Sequence, residues 1–243
     1  MPTSLTPKAS ARILAVGAHP DDIEFGCGGV LLAEAARGNK IHLHVCSRGE
    51  SGTNGTPADR EAEARNAAVL LGAKLKFLEL GGDAHIAASI SNVLTVAHSI
   101  RTVRPEILLG PTASPDQHPD HAAVGRLCVD ALRLARYGGI AELRDLPPHA
   151  VGHYLAFAVT PAAEPSRGCA AVHVDISAYY KAWIQLMECH KSQLRTREYI
   201  ELQTARARLL GVQAGVEYAQ ALFMTDHLLV KTLAELPPSV RLF

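Results

Sequence analysis

The chain has 243 residues, of which 24 are Lys or Arg, 24 are Asp or Glu and 48% are hydrophobic. A formally neutral chain lacks the positive field that supplies most of the affinity for nucleic acids and anionic membranes, so we expect neither as a partner. The apolar fraction is large enough for a buried core and excludes disorder of the whole chain. The length predicts one domain, residues 1–243, of a soluble protein.

The cysteines and the N-terminal segment bear on the cellular compartment. The five cysteines are scattered and never form a CxxC pair, which argues against a disulfide framework and a Cys-type zinc site. The first residues, MPTSLTPKAS, contain no apolar signal segment, and no stretch approaches the ~18 apolar residues of a membrane span. We therefore expect a cytoplasmic protein.

Short apolar runs alternate with longer amphipathic runs through the first 135 residues. From Arg12 the chain reads ILAVGAH, VLLAEAARG, KIHLHVC and ADREAEARNAAVLLG, followed by KLKFLEL, SISNVLTVAHSIRTV and EILLG. This alternation predicts four βα units and a parallel sheet. Pro105 ends the third helix, and the fourth helix is predicted from about Pro119 to Leu134.

A different pattern follows Gly139. The segments GHYLAFAV and AVHVDI predict strands of a second sheet segment or of an extended sheet edge, and helices are predicted around Ala178–Ser192 and Thr196–Val212. The predicted fold is α/β: a Rossmann-like, mostly parallel sheet with helices on both faces. Its core spans about residues 12–135, and a C-terminal β/helical extension spans about residues 150–243.

Two polar clusters follow predicted strands. The first strand ends in GAHPDD, residues 17–22, and the fourth is followed by DQHPDH, residues 116–121. The carboxyl ends of strands are where open α/β sheets bind ligands. Taken alone, Pro-Asp-Asp equally well begins the next helix, with His19 as a turn residue. Two clusters of one composition at one sheet edge favour a functional site.

His19, Asp22 and His121 are the predicted metal ligands, because three protein ligands with an open fourth position are typical of catalytic zinc. Iron(II) suits the same ligands. Asp21 and His118 remain free for a base that activates water and for a group that stabilises the developing oxyanion or the leaving group. These residue types together predict metal-assisted hydrolysis.

The AHPDD and HPDH motifs, followed by a DIS segment and a late SQ pair, resemble those of the LmbE-like (PIG-L) zinc-dependent N-deacetylases. The resemblance covers Ile13 to about Phe223. Within the family the chain is most similar to the branch that acts on N-acetylglucosaminyl malate in bacillithiol biosynthesis. The branch-level features are Arg48–Glu50, Gly52–Thr56, Ser192-Gln193 and Tyr218-Ala219.

The resemblance implies a role for each site residue. Zinc would be bound by His19, Asp22 and His121, while Asp21 would be the general base. His118 would stabilise the oxyanion or protonate the departing amine, oriented by Asp120. Relatives of this branch imply a homo-oligomer, a hexamer or trimer, for which the apolar helices after Ala178 offer a contact surface.

Three further residues are predicted to contact substrate, each with an alternative. Arg60 would hold sugar hydroxyls or a carboxylate, or form a surface ion pair with Glu61 or Glu63. Asp83 would accept hydrogen bonds from sugar hydroxyls or shape a turn after two glycines. Tyr199 would close over the site or pack its helix.

One loop and two single residues leave questions open at the sequence level. The Ser47–Pro57 loop is either a mobile lid or a solvated connection. Gln220 stands where the family commonly has an acidic residue, which puts a substrate or subunit contact in doubt. His190 is ambiguous because the SQ segment approaches the active-site region in the family.

Two alternatives compete with hydrolysis of an N-acetylglucosaminyl malate. One keeps the reaction and changes the amide: another amino sugar, a chitooligosaccharide or a thiol conjugate. The other is a non-catalytic Rossmann-like binding module, which is disfavoured because no segment matches GxGxxG or GxxxxGK[ST].

Overall fold

The protein is described by a computed structural model covering residues 10–165, 169–237 and 239–240. Seven strands form one sheet in the order β3-β2-β1-β4-β5-β7-β6. The strands are β1 Arg12–Gly17, β2 Lys40–Val45, β3 Lys74–Phe77, β4 Ile107–Pro111, β5 His153–Phe157, β6 Ala170–Asp175 and β7 Ala219–Met224. The helices are α1 Asp22–Ala36, α2 Pro57–Leu71, α3 Ile90–Val103, α4 Pro119–Ala135, α5 Tyr180–Glu188 and α6 Tyr199–Ala214.

The sheet is parallel from β3 to β5. Strand β1 is buried on both faces, as expected for the centre of a doubly wound sheet. Its Leu14 and Val16 pack into the cluster formed with α3 and α4, whereas Ile13 and Ala15 pack towards α1, α2 and α5. The prediction of an α/β, mostly parallel sheet with helices on both faces is confirmed.

The C-terminal extension continues the same sheet. β7 pairs antiparallel with both β5 and β6, so the extended-edge alternative is correct for the predicted strands. The sequence analysis missed β7 itself, whose residues AQALFM carry no period-2 alternation because most of them are buried. The helix predicted over Ala178–Ser192 is shorter in the structure, and the one predicted over Thr196–Val212 begins at Tyr199.

Helix α1 is broken at Cys27, whose φ and ψ are −148° and 15°. The break lies against the C-terminal extension: a side chain at Gly26 would meet Phe157, and Gly29 lies against the Gln220 side chain. Gln220 Oε1 accepts a hydrogen bond of 3.0 Å from Val30 N. Gln220 is therefore a buried support of α1, and the structure gives it this role in place of a contact at the surface.

Helix α6 leaves three apolar side chains, Leu202, Leu209 and Val212, exposed to solvent. The homo-oligomer expected from the sequence stays a prediction. In the part of the chain that the structure describes, no helix combines the length and the apolar character needed to cross a membrane.

Candidate active site

The two polar clusters lie at the carboxyl ends of β1 and β4, which are adjacent parallel strands. Each strand leads to a helix, but α1 and α4 pack on opposite faces of the sheet. The chain therefore diverges between β1 and β4, which creates the crevice where doubly wound sheets bind ligands. His19 and Asp22 enter it from one side, and His118 and His121 from the other.

His19, Asp22 and His121 have their side-chain donor atoms within contact of one another. His121 Nε2 lies 3.0 Å from Asp22 Oδ1 and 3.2 Å from His19 Nδ1, and His19 Nδ1 lies 3.6 Å from Asp22 Oδ2. Ligands of a tetrahedral zinc, at about 2.0–2.1 Å from the metal, are separated by about 3.3 Å. The two imidazole nitrogens are thus at zinc-ligand spacing, and the Asp22 carboxylate contacts both of them, through Oδ1 at His121 and through Oδ2 at His19.

The ring nitrogens of His19, His118 and His121 also lie within 4.8 Å of one another. We favour Asp22 over His118 as the third ligand because Asp22 is buried and in closer contact with both other ligands. The ligand set stays a prediction that metal binding must test.

Asp22 is oriented by the backbone at the end of β1. Its Oδ2 accepts hydrogen bonds of 2.9 Å from Ala18 N and His19 N, and Oδ1 is directed at His121. Burial opposes ionisation, but His121 and His19 outweigh it and hold the pKa of Asp22 well below its usual range. Asp22 is therefore a charged carboxylate with one oxygen available to a cation.

His19 is held by two carboxylates on the opposite edge of its ring. Its Nε2 lies 3.0 Å from Asp83 Oδ1 and 3.1 Å from Asp120 Oδ2. Burial lowers the pKa of His19, but the hydrogen bonds with Asp120, Asp22 and Asp83 outweigh it and raise the pKa to about 12. In the neutral ring that a metal ligand requires, these carboxylates favour the proton on Nε2, so that the Nδ1 lone pair points towards Asp22 and His121.

This arrangement corrects the predicted partner of Asp120. Its carboxylate was expected to orient His118, but it contacts His19 and accepts hydrogen bonds from Ala84 N and Ile86 N. Asp120 reaches His118 only through its backbone N–H, which donates to His118 Nδ1 over 3.2 Å. The reason is local: His118 is the N-cap of α4, so its ring turns back onto the first turn of its own helix.

His118 faces the cavity with its other ring nitrogen. Because Nδ1 accepts from Asp120 N, the neutral ring carries its proton on Nε2. Burial and the nearby His19 and His121 lower the pKa of His118. A neutral His118 can therefore donate a hydrogen bond to an oxygen on which negative charge develops.

Asp21 occupies a strained backbone position at the start of α1. Its φ is 114°, a value that residues other than glycine rarely adopt and that typically costs ~1–3 kcal/mol where it serves a functional site. Burial and the neighbouring charge of Asp22 raise the pKa of Asp21 to about 6, although Arg60, His190 and His19 oppose the shift. A carboxylate with this pKa suits a general base near neutral pH.

Arg60 is buried beside Asp21, so the alternative of a surface ion pair with Glu61 or Glu63 is wrong. Its guanidinium donates to Pro20 O and Gly49 O and lies 3.6 Å from Asp21 and 3.9 Å from Asp83. Gly49, at φ 70°, leaves the space that the guanidinium fills. Arg60 thus ties the loop after β2 to the backbone and the carboxylate of the PDD segment.

These side chains line a cavity of about 440 Å³, a size typical of small-ligand sites. All nine predicted site residues except Asp120 line it, Tyr199 included, and Asp120 lies directly behind His19. Tyr199 also packs on Phe25, with ring centroids 5.7 Å apart. The structure is therefore compatible with both predicted roles of Tyr199, closing over the site and packing its helix.

The cavity wall also contains residues that the sequence analysis did not name as catalytic, substrate-binding or metal-binding residues. They are Phe25, Ser51–Thr53, Ala84, Val159, Thr160, Gln193 and Gln203. Residues 51–53 belong to the loop left open as a lid or a connection, which is tied down by hydrogen bonds from Ser51 to Asp83 and from Gln193 to Asn54 O. The SQ pair was a usable signal for Gln193, but no local pattern marks Gln203.

The conserved-domain family described as PIG-L, GlcNAc-PI de-N-acetylase, matches residues 14–132 of the chain. The Escherichia coli K12 protein YaiS, named an uncharacterized deacetylase, is 36% identical over 138 residues, which cover 54% of this chain and 74% of YaiS. The solved structure of the conserved protein TT1542 from Thermus thermophilus shares 30% identity with a TM-score of 0.79. The matched region covers 90% of this chain and 97% of the TT1542 chain.

One similar protein is named for a different reaction. The 4-oxalmesaconate hydratase of Pseudomonas putida KT2440 is 28% identical over 222 residues, which cover 86% of this chain and 82% of that protein. The comparisons therefore establish the fold and the family. Because similar proteins are named for different reactions, the reaction of this chain has to be inferred from the geometry of the site.

Proposed function

Because the chain belongs to the PIG-L family of de-N-acetylases, we propose that it is a metal-dependent hydrolase of an N-acetylglucosaminyl small molecule. The reaction breaks the acetamide C–N bond with one water and yields acetate and a free amine. The observation that carries the proposal is the approach of His19, Asp22 and His121 to within 3.0–3.6 Å, next to the uncommitted carboxylate of Asp21.

The donor set fits zinc, since two imidazole nitrogens beside one carboxylate are typical zinc ligands. A metal ion held there would supply Lewis-acid polarisation of the acetamide carbonyl and a lower pKa for water. Iron(II) is compatible with the same ligands.

The remaining residues supply proton transfer and charge stabilisation. Asp21, with a pKa of about 6, is largely ionised at neutral pH and can accept a proton from the attacking water. His118 Nε2–H can donate to the acetamide oxygen as charge builds there. Arg60, next to Asp21, fixes the position of the base and keeps a positive charge near it.

The cavity wall supports a sugar substrate. Hydroxyl and amide side chains, from Ser51, Thr53, Thr160, Gln193 and Gln203, surround the opening and can exchange hydrogen bonds with sugar hydroxyls. Tyr199 and Phe25 add apolar surface for a pyranose ring. We propose N-acetylglucosaminyl malate as the first substrate to test, because the branch-level motifs resemble those of the enzymes that act on it. Chitooligosaccharides and thiol conjugates are the alternative substrates.

The experiment is acetate release by zinc-loaded protein from N-acetylglucosaminyl malate, diacetylchitobiose and N-acetylglucosamine. Asp21→Asn is the informative variant because Asn also tolerates positive φ, and we expect a loss of about 10²–10⁴-fold. Asp116→Asn is the matched control in the same pair of motifs, since Asp116 is exposed and outside the cavity wall.

Two results would overturn the proposal. One is no acetate from any of these amides in protein that binds one zinc per chain. The other is addition of water to 4-oxalmesaconate by the same preparation, which would assign the chain to the reaction of its hydratase relative.

A further inference from the structure

We propose that Asp83 is a positioning residue that holds His19 in its metal-binding orientation and joins this ligand to the wall of the substrate cavity. The inference rests on the metal site of the proposed function but concerns metal affinity, which is measured without substrate. It adds a third role to the two predicted from the sequence, the sugar contact and the turn.

Both carboxylate oxygens of Asp83 already have protein partners. Oδ1 lies 3.0 Å from His19 Nε2, and Oδ2 accepts a hydrogen bond of 3.2 Å from Ser51 N. The side chain is 8% exposed, and Arg60 Nη1 lies 3.9 Å from Oδ2. The carboxylate is therefore held by His19 and by the loop after β2 within the protein itself.

The turn that carries Asp83 is built to hold this contact. Gly81, Gly82 and Ala84 all have positive φ, at 109°, 89° and 65°, and Ala84 is strained there because it has a Cβ. The strained turn directs Ala84 N to Asp120 Oδ2 over 2.7 Å. The turn thus places Asp83 and fixes Asp120, so that both carboxylates meet the same imidazole nitrogen.

The same turn is bound to the loop after β2. Asp83 N donates to Glu50 Oε2 over 2.9 Å, and Ser51 Oγ donates to Asp83 O over 2.9 Å. Ser51 lines the cavity, so the segment that would contact substrate and the orientation of His19 share one hydrogen-bonded unit. Asp83 is the only described residue that these contacts place between Ser51 and His19.

The chemistry follows from the single proton of a neutral imidazole. A carboxylate that accepts from Nε2–H keeps the proton off Nδ1 and makes Nδ1 a stronger donor to a cation. Removing such a partner from a metal-ligating histidine typically lowers metal affinity about 10–100-fold. A residue that only contacts sugar would leave metal affinity unchanged and raise KM.

The test is zinc affinity by competition with a chromophoric chelator, on apo wild type, Asp83→Asn and Asp83→Ala. We expect Asp83→Asn to weaken zinc binding by about 10-fold or more, because the negative charge is lost. Asp83→Ala should weaken it further, because the acceptor is lost as well. Thr53→Ala, which alters the cavity wall without contacting Asp83, should keep wild-type zinc affinity.

Asp120→Asn provides the benchmark, since Asp120 contacts the same nitrogen of His19. Thermal unfolding of each apo variant separates loss of fold from loss of the ligand's orientation. Zinc affinity within twofold of wild type in both Asp83 variants, with KM raised on an active substrate, would overturn the inference and favour the sugar contact. Absence of deacetylation would refute the proposed function and leave the zinc comparison valid.

Discussion

The clearest stability prediction concerns Gln220, the amide found where the family commonly has an acid. We expect Gln220→Leu to destabilise the protein through helix α1. The substitution keeps a side chain of similar size but removes the acceptor of the 3.0 Å hydrogen bond from Val30 N. Val30 and Gln220 are both buried, so water cannot replace the lost partner.

The magnitude follows from that burial. A buried donor left without an acceptor costs about 1–3 kcal/mol. For a chain of this length, each kcal/mol lowers the unfolding temperature by about 2–4 °C. The expected shift is therefore roughly 2–12 °C, the lower end applying if the leucine recovers part of the loss by apolar contact with its neighbours.

The assay is thermal and urea unfolding of the chelator-treated protein, followed by circular dichroism. Gln213→Leu is the matched control because Gln213 lies exposed on α6, and we expect its effect to stay within about 0.5 kcal/mol. Gln220→Glu retains an acceptor for Val30 N and should be milder than Gln220→Leu. A Gln220→Leu protein as stable as Gln213→Leu would refute the role assigned to this hydrogen bond.

Two other buried groups give predictions of different kinds. Burial, with smaller effects of Lys76 and His42, lowers the pKa of His44 to about 3, whereas an unfolded histidine titrates near ~6.5. Between these values only the unfolded chain takes up the proton, so stability falls as the pH drops, by about 2 kcal/mol from pH ~7.5 to ~5. In urea unfolding of the chelator-treated His44→Leu variant, the free energy of unfolding should depend less steeply on pH than in wild type. A pH dependence as steep as that of wild type would contradict this prediction. Arg101 is buried, and within the described residues its side chain donates only to backbone carbonyls, those of Ala135, Tyr137, Leu143 and Leu146. Arg101→Met should cost about 3 kcal/mol or more in urea unfolding, because several carbonyls lose their donor at once. Arg126 is exposed, so Arg126→Met should lower the free energy of unfolding by less than about 0.5 kcal/mol. Similar losses of stability in both variants would contradict the stabilising role of the buried Arg101 hydrogen bonds.

Much of the fold was predictable because the signals are local. The four βα units follow from the alternation of apolar and amphipathic runs. Pro105 follows the end of α3 and Pro119 begins α4, since proline cannot continue a helix but is tolerated in its first turn. Strand β7 was missed because its burial on both faces removes the alternation that identifies a strand. Its position between β5 and β6 depends on long-range pairing that no local pattern encodes.

The sequence by itself determined which polar residues meet at one site, because a parallel sheet must bring the ends of β1 and β4 to one edge. His19, Asp22, His118 and His121 therefore meet by topology. Only the tertiary structure decided which residues these side chains contact. Asp120 and Asp83 both contact His19, and Arg60 is buried against Asp21. These contacts depend on the direction in which each side chain points into the crevice. Spacing along the chain gives no measure of that direction.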